Sequence, residues 1–348
     1  MKLLVLGGTK FLGRAVVDAA RARGHELTLF NRGKQDPGAY PDVEQIHGDR
    51  TQAGAFDALR GRRFGAVIDT AAYLPRDVAS AAAFFAPAAD AYLVVSSISA
   101  HADHAAPGTN ESAPVARLTA EQEREVAALS AEGSIPAAKL GPFYGPLKAL
   151  CEEEAERAMP GRALVVRPGL VVGPYDNTDR FTYWPVRLMR GGTVLAPGRP
   201  ERGTQFIDVR DLGGWMVRAL EEKRAGVYLA TGPAAPIPFG DVLAACMRVA
   251  AQRGAPPATL RWVDDATLVA RGVGPWMEMP LWIPETEADM AGLMRSDNAK
   301  ARAAGLTFRP LEETIEATLD WDAKRSTDAP RVAGLAAAKE AEILAALG

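Results

Sequence analysis

The segment "KLLVLGGTKFLGRAVVDAARARG", residues 2–24, constrains the fold more than any other part of the chain. "KLLVLG" is a continuous apolar run, as expected for a strand buried on both faces of a parallel sheet. "RAVVDAARARG" has the amphipathic pattern of a helix that ends at Gly24. The segment therefore predicts a strand, a glycine-rich turn and a helix, which together begin a βαβ unit.

The glycines of this turn predict a phosphate-binding site. Gly7 begins the turn, Gly8 leaves the backbone bare, and Gly13 lets the helix pack closely on the strand. Backbone N–H groups and the helix N-terminus can then approach a pyrophosphate. Similar turns also close strand–helix units that bind nothing. The second strand pattern that follows, "ELTLFN", favours a dinucleotide site.

Strand and helix patterns alternate through the first half of the 348 residues, which predicts an α/β fold with a Rossmann-type doubly wound parallel sheet. The rhythm is lost later, where proline, methionine and tryptophan become frequent. We expect a Rossmann domain over residues 1–168, to which residues 204–232 return. Residues 169–203 and 233–325 are expected to form a smaller, irregular substrate lobe, and residues 326–348 a linker and a C-terminal helix.

Composition excludes several classes of protein. The net charge is −3 and no dense Lys/Arg stripe occurs, so no nucleic-acid partner is expected. Cys151 and Cys246 show no metal-like spacing and no disulfide framework. His101 and His104 lack further ligands nearby, so no metal site is predicted. No apolar run approaches membrane-spanning length and no cleavage site follows the first strand, so we expect a cytoplasmic protein.

The end of the second strand bears on the choice of cofactor. An NAD-preferring site usually has an acidic residue there, but this chain has "FNRGK", with Asn31, Arg32 and Lys34. A guanidinium at this place can pair with a 2′-phosphate. A solvated arginine on a surface turn is the alternative. NADP(H) is favoured and NAD(H) remains possible. Asp49 could accept a hydrogen bond from an adenine amino group, or it could be a turn aspartate.

"YGPLK" provides a proton-transfer pair. Tyr144 and Lys148 are four residues apart and would share one helix face, with Pro146 in the first turn. A nearby ammonium would lower the pKa of a phenol, which is ordinarily about 10. "LVVSSIS" places hydroxyls at the end of an apolar strand, and we choose Ser97 over Ser96 and Ser99 to hold a substrate oxygen. An aromatic residue and a charge at helical spacing by chance is the alternative.

The motifs "GGTKFLG", "SSIS", "YGPLK", "VVRPGLVVGP" and "FIDVRDL" occur in an order that resembles the extended short-chain dehydrogenase/reductases of the NAD-dependent epimerase/dehydratase superfamily. The resemblance extends to "LEETIEATLDW". It implies that Tyr144 is the acid/base, that Lys148 bonds the nicotinamide ribose and tunes the tyrosine, and that Ser97 holds the reacting oxygen. The cofactor site that it implies comprises Gly7, Gly8, Thr9, Phe11, Leu12, Gly13, Asn31, Arg32, Asp49, Arg50, Thr70, Ala71, Ala72, Tyr144, Lys148 and Pro168.

Three departures from the family pattern stand out. Lys10 replaces the middle glycine of the turn, and His101 replaces a tyrosine that commonly follows the serines. The arginine that grips the diphosphate of sugar nucleotides is replaced by Thr204, with Arg202 two residues away. These differences argue against a nucleotide-sugar substrate, and the chain is more similar to the isoflavone-reductase-like branch.

We therefore expect an NADP(H)-dependent oxidoreductase that moves hydride to or from a carbonyl or alcohol carbon of a small molecule. The alternatives are an NAD-dependent nucleotide-sugar epimerase or dehydratase, and a non-catalytic NADP- or RNA-binding regulatory protein. Tyr73, His101 and Arg180 are candidate substrate residues, although Arg180 and Asp179 could form a surface ion pair. Trp184, Trp276 and Trp282 could wall an apolar pocket or pack the small lobe. A homodimer is possible.

Overall fold

The computed structural model describes residues 1–36, 38–131, 140–326 and 329–347. Seven strands form its central sheet: β1 (Lys2–Leu6), β2 (Glu26–Asn31), β3 (Glu44–His47), β4 (Phe64–Asp69), β5 (Ala89–Val95), β6 (Ala163–Pro168) and β11 (Gly226–Ala230). All are parallel, in the order β11-β6-β5-β4-β1-β2-β3. The chain adds β2 and β3 on one side of β1, and β4, β5, β6 and β11 on the other. This reversal between β1 and β4 creates a crevice at the carboxyl ends of the strands. The predicted α/β fold is confirmed.

Helices cover both faces of this sheet, and an apolar core lies on each side. The four residues of β1 after Lys2 are buried, as the apolar run predicts. On one face, α6 packs on α1 so closely that a Cβ at Gly213 would lie 2.8 Å from the carbonyl carbon of Ala15. The helices of the domain are α1 (Phe11–Ala22), α2 (Pro75–Phe85), α3 (Ala120–Ala131), α4 (Tyr144–Ala158) and α6 (Val209–Glu221).

A second lobe has its own apolar core, in which Trp184 and Trp282 are fully buried. Three strand pairs brace it: β7 (Leu170–Val172) with β10 (Phe206–Asp208), β8 (Gly192–Pro197) with β13 (Ala258–Val263), and β9 (Gly203–Thr204) with β12 (Ile237–Pro238). Its helices are α5 (Tyr183–Met189), α7 (Phe239–Gln252), α8 (Asp265–Ala270) and α10 (Leu311–Asp322). The short helix α9 (Ala299–Ala303) instead packs against β11 in a core of the central sheet. The return segment expected over residues 204–232 contains β10, α6 and β11.

The last helix, α11 (Ala337–Ala346), packs on the second lobe. Its buried Glu340 accepts hydrogen bonds from Arg187 Nε at 2.6 Å and from the Leu195 N–H at 3.0 Å. The helix is therefore packed into the core of the second lobe.

Two absences hold for the described parts of the chain. No helix there is both long and apolar enough to cross a membrane. No group of three or more His, Cys, Asp or Glu side chains there could hold a metal ion. Cys151 and Cys246 are free and buried.

Candidate active site

A cleft of about 1310 Å³ lies at the carboxyl ends of the central strands. One end is formed by the glycine turn after β1 and by the loop after β2. The other end is closed by residues 275–294 of the second lobe, which supply Pro275, Trp276, Ile283, Met290, Leu293 and Met294. Such a cleft suits a ligand that has a polar, phosphate-bearing end and a more apolar end.

The glycine turn leaves space that side chains would fill. Gly7 has φ +112° and Gly8 φ +96°, values at which a side chain is strained. A Cβ at Gly7 would collide with Thr70 Oγ1, and one at Gly13 would lie 2.9 Å from the backbone nitrogen of Gly8. The turn can therefore be this tight only with glycine at these positions, and α1 begins directly behind it at Phe11. The bare backbone fits a dinucleotide pyrophosphate.

Cations surround this end of the cleft. Lys10, Arg32 and Lys34 are exposed and line it. Among the described residues, none of the three forms an ion pair. Asp49 lies nearby: hydrogen bonds from Thr51 lower the pKa of its carboxyl, and the charges of Arg32 and Lys34 add to the effect. These guanidinium and ammonium groups could therefore bind a second anionic group of a ligand, in addition to a pyrophosphate at the glycine turn.

Tyr144 and Ser97 meet at the inner part of the cleft. Tyr144 is the first residue of α4, and Ser97 lies two residues beyond β5. Burial raises the pKa of Tyr144, while the nearby Ser97 hydroxyl and the charge of Arg180 act to lower it. Ser97 Oγ also accepts the Ser99 N–H at 3.1 Å, which fixes the hydroxyl. A carbonyl or hydroxyl oxygen held here could exchange a proton with Tyr144.

Lys148 is placed one turn along α4, as its spacing predicts, but its ammonium faces the backbone. Its Nζ donates to the carbonyl oxygens of Ala72 at 2.7 Å and Val95 at 2.8 Å. It lies 4.8 Å from the Tyr73 ring centroid and 5.6 Å from that of Tyr144. Burial lowers the pKa of Lys148. The expected fall in the Tyr144 pKa does not occur, because burial of the phenol outweighs the charges around it.

A buried polar network supports the site from behind. Ser96 Oγ donates to Glu152, which also accepts Arg167 Nε at 2.9 Å and another guanidinium N–H at 2.6 Å. Arg167 Nη1 contacts His101 Nε2 at 2.7 Å. His101 therefore does not line the cleft, which corrects its assignment as a substrate residue. Burial, followed by the Arg167 charge, lowers the pKa of His101 to about 4.

Two predicted cofactor residues have polar groups that are engaged within the protein. Ala72 is fully buried and does not line the cleft, because its carbonyl turns toward Lys148. Arg50 lines the cleft, but its guanidinium forms a bidentate pair with buried Asp69 at 2.7 and 2.8 Å. It also donates to the Asp77 carbonyl oxygen. Arg50 thus holds the ends of neighbouring elements together and has little capacity left for a ligand.

The other predicted residues line the cleft. They are Gly7, Gly8, Thr9, Phe11, Leu12, Gly13, Asn31, Arg32, Asp49, Thr70, Ala71, Tyr73, Ser97, Tyr144, Lys148, Pro168 and Arg180.

His104, for which the sequence suggested a polar-loop or substrate-pocket role, lines the cleft, whereas the apolar lining residues between 283 and 294 were not singled out. The methionine- and tryptophan-rich stretch was their only signal. Of the three tryptophans, Trp276 alone lines the cleft, while Trp184 and Trp282 belong to the core of the second lobe.

The position that usually carries a diphosphate-binding arginine provides no free cation. Thr204 Oγ1 is buried and donates to the Ile237 carbonyl oxygen at 2.9 Å. Arg202 pairs with Asp265 at 2.7 and 3.0 Å and donates to the Ile283 carbonyl oxygen. The lobe therefore uses the guanidinium of Arg202 to hold its own loops together.

Residues 3–100, which contain the glycine turn and the first serines, match the model of the NAD dependent epimerase/dehydratase family. The matched segment covers less than a third of the chain. The match confirms the family resemblance read from the motifs. The narrower placement in an isoflavone-reductase-like branch stays a prediction.

Similarity to individual proteins extends over a longer span of the chain. Epimerase family protein SDR39U1 of Bos taurus is 29% identical over 250 residues, or 67% of this chain and 75% of that protein. The crystal structure of human SDR39U1 with NADPH is 18% identical, covers 92% of this chain and all of its own, and has a TM-score of 0.57. UDP-glucuronic acid 4-epimerase of Bacillus cereus, solved with NAD, is 14% identical, covers 96% and 100% of the two chains, and has a TM-score of 0.64. At these identities, the two structures show a shared fold.

Proposed function

We propose that this protein is an NADP(H)-dependent oxidoreductase that transfers hydride to or from a carbonyl or alcohol carbon of a small molecule. The Tyr144–Ser97 pair, whose hydroxyls lie close enough to interact, is the observation that carries the proposal. It lies in the same cleft as the glycine turn, so a dinucleotide held by the turn would extend toward it. A nicotinamide dinucleotide bound there would supply or accept the hydride.

The chain's own residues would handle the oxygen and its proton. Ser97 would hold the reacting oxygen by a hydrogen bond, and Tyr144 would give or take the proton. Lys148 would hold the cofactor ribose from the side of α4, where its Nζ already lies between the Ala72 and Val95 carbonyl oxygens. The second lobe would exclude water from the reacting groups with the apolar residues of 275–294.

The cations at the end of β2 support NADP(H) over NAD(H). Arg32 and Lys34 line the cleft without an ion pair of their own among the described residues, as suits a group that binds a 2′-phosphate. Human SDR39U1 was solved with NADPH, whereas the Bacillus cereus epimerase was solved with NAD, so the shared fold accompanies either cofactor. The choice for this chain rests on Arg32.

A nucleotide-sugar epimerase or dehydratase is the second candidate. The Bacillus cereus protein, which shares the fold, is a UDP-glucuronic acid 4-epimerase. Against this candidate, Thr204 is buried and Arg202 is paired with Asp265, so neither offers the cation that a diphosphate needs.

Two measurements test the proposal. Quenching of tryptophan fluorescence ranks NADPH, NADH and UDP-glucuronate; we expect NADPH to bind most tightly. NADPH oxidation is then followed with a panel of aromatic and aliphatic ketones and aldehydes. Tyr144→Phe should lose turnover by about 100-fold or more while NADPH binding persists. Tyr175→Phe, which changes an exposed tyrosine outside the cleft, is the control. Turnover retained in Tyr144→Phe, or tighter binding of UDP-glucuronate than of NADPH, would contradict the proposal.

A further inference from the structure

Arg180 has an unusual setting in the substrate end of the cleft. Its guanidinium lies over the Trp276 ring, 5.3 Å from the centroid, and its Nε donates to Thr178 Oγ1 at 3.1 Å. The side chain is half-buried and lines the same cleft as Tyr144. The Trp276 ring and the Nε hydrogen bond hold the guanidinium in place. Its two terminal nitrogens have no hydrogen-bond partner among the described residues, so they are available to a ligand.

No carboxylate neutralises this guanidinium within the described residues. Asp179, its neighbour in sequence, is fully buried and pairs with Arg325 and Arg331 from the end of the chain. The surface ion pair considered for Asp179 and Arg180 therefore does not form. Asp176 is also buried, and its Oδ1 accepts both the N–H and the hydroxyl of Thr178.

Thr178 thus links the two charged groups without bringing them together. Its hydroxyl donates to Asp176 Oδ1 at 2.7 Å and accepts from Arg180 Nε. Burial raises the pKa of Asp176, so its carboxyl carries its negative charge less readily. Asp176 is the acidic group that Thr178 links to Arg180. Burial also lowers the pKa of Arg180, as expected for a cation that lacks a close partner.

The walls of this end of the cleft are mostly apolar, with His104 and Asn177 as further polar residues. Trp276, Ile283, Leu293 and Met294 form its walls. Glu287 lies at the rim and is exposed. A partly desolvated guanidinium among apolar walls is costly unless an anion pairs with it, so the setting favours a ligand that brings one negative charge and an apolar body.

We propose that Arg180 binds a carboxylate of the substrate, so that the substrate class is oxo or hydroxy acids with an apolar body. The inference rests on the proposed function, since it places the substrate's other oxygen at Ser97 and Tyr144. The planar fork of an arginine matches a carboxylate in a bidentate manner. A phosphate monoester would bring close to two charges and would call for further cations at this end. Lys148 is buried beside two carbonyl oxygens and is assigned to the cofactor ribose, so it does not supply one.

The first test measures binding and needs no turnover. The NADPH-loaded full chain is titrated with 3-phenylpropanoate and with 3-phenylpropanamide, which differ only in the charge of the head group. Calorimetry or tryptophan fluorescence gives the two dissociation constants. We expect the acid to bind at least tenfold more tightly than the amide. Phenylethyl phosphate is the third probe, and binding tighter than that of the acid would overturn the choice of carboxylate.

Two variants assign the effect to the side chain. Arg180→Met should weaken the binding of 3-phenylpropanoate at least tenfold and leave the binding of 3-phenylpropanamide unchanged. Arg180→Lys should restore only part of the affinity, because an ammonium cannot form the bidentate contact. Arg190→Met, which removes an exposed arginine just beyond α5, is the matched control and should change nothing. Equal binding of acid and amide, or an unaltered acid affinity in Arg180→Met, would refute the inference.

A second test separates this inference from the oxidoreductase proposal. NADPH oxidation is compared for 2-, 3- and 4-oxo acids with a phenyl group and for their methyl esters. A kcat/KM at least tenfold higher for one acid than for its ester, lost in Arg180→Met, supports both proposals. Equal reduction of acids and esters defeats the inference and leaves the oxidoreductase standing. Selective binding of 3-phenylpropanoate without reduction of any carbonyl supports the anion site and defeats the oxidoreductase.

Discussion

Gly213 of α6 lies against Ala15 of α1, where an added Cβ would be 2.8 Å from the Ala15 carbonyl carbon. Its neighbour Gly214 faces open space, with nothing within 4 Å of the position of a Cβ. Two adjacent glycines on one helix therefore serve different purposes. The first allows two helices to touch on one face of the central sheet.

The first prediction follows from this difference. Gly213→Ala should lower the free energy of unfolding by about 1–3 kcal/mol, because the methyl group forces α1 and α6 apart. Gly214→Ala should raise it by about 0.5–1 kcal/mol, since alanine is the better helix former. Urea denaturation measures both, and equal effects of the two changes would refute the packing argument.

The second prediction concerns the cofactor. Arg32→Ala should weaken the binding of NADPH by about tenfold, or 1.4 kcal/mol, and leave the binding of NADH unchanged, because only NADPH carries the 2′-phosphate. The loss should shrink as ionic strength rises, since the site is exposed. Fluorescence titration gives both constants. Arg63→Ala, at an exposed position outside the cleft, is the control. An equal loss for both cofactors would place Arg32 elsewhere than at the 2′-phosphate.

The third prediction concerns the buried pair behind the site. Glu152→Gln should lower the free energy of unfolding by about 3–5 kcal/mol, because it leaves the charge of buried Arg167 uncompensated. Glu153→Gln on the same helix removes only a surface pair with Arg117 and should cost about 1 kcal/mol at most. Thermal or urea unfolding at pH 7 compares the two. Similar losses for both would show that the buried pair has no special weight.

The fourth prediction concerns pH. The pKa of His101 falls to about 4 in the folded chain, against about 6.5 for an unperturbed histidine. Between these values the unfolded chain binds more protons, so the contribution of His101 to stability is full above pH 6.5 and is lost as the pH falls toward 4. The wild type should lose about 2–3 kcal/mol more than His101→Gln over this window.

The measurement is a series of urea unfolding curves from pH 7 to pH 4. Comparison with His101→Gln removes the contribution of other groups that titrate in the same range. His47→Gln, which changes an exposed histidine, should keep the wild-type pH dependence. If His101→Gln also keeps it, the buried imidazole is not the origin of the effect.

Local patterns were enough to predict the sheet, the glycine turn and the elements that carry Ser97, Tyr144 and Lys148. Buried strands and glycine turns are indicated by short stretches of sequence, so they can be recognised without knowledge of the tertiary fold. The order of the strands follows from the same βαβ units, because right-handed crossovers leave few arrangements. The confirmed fold depends on these local rules.

Side-chain directions in loops were not predictable. His101 and His104 are three residues apart, and only the structure shows that one pairs with Arg167 while the other lines the cleft. The direction of Lys148 likewise depends on carbonyl oxygens contributed by two other parts of the chain. The rise in the Tyr144 pKa reflects its burial by distant segments, which its spacing from Lys148 could not reveal.

Along α4, Tyr144, Lys148 and Glu152 follow one another at intervals of four residues, and each faces a different partner: Ser97, two backbone carbonyl oxygens, and Arg167. The helix α4 thus fixes the positions of all three side chains relative to the central sheet. If Tyr144 and Lys148 alone were transferred to another protein, the transfer would leave out Glu152, whose carboxylate binds Arg167 and so links α4 to β6. Transplanting the chemistry would require that whole helical face and the strand opposite it.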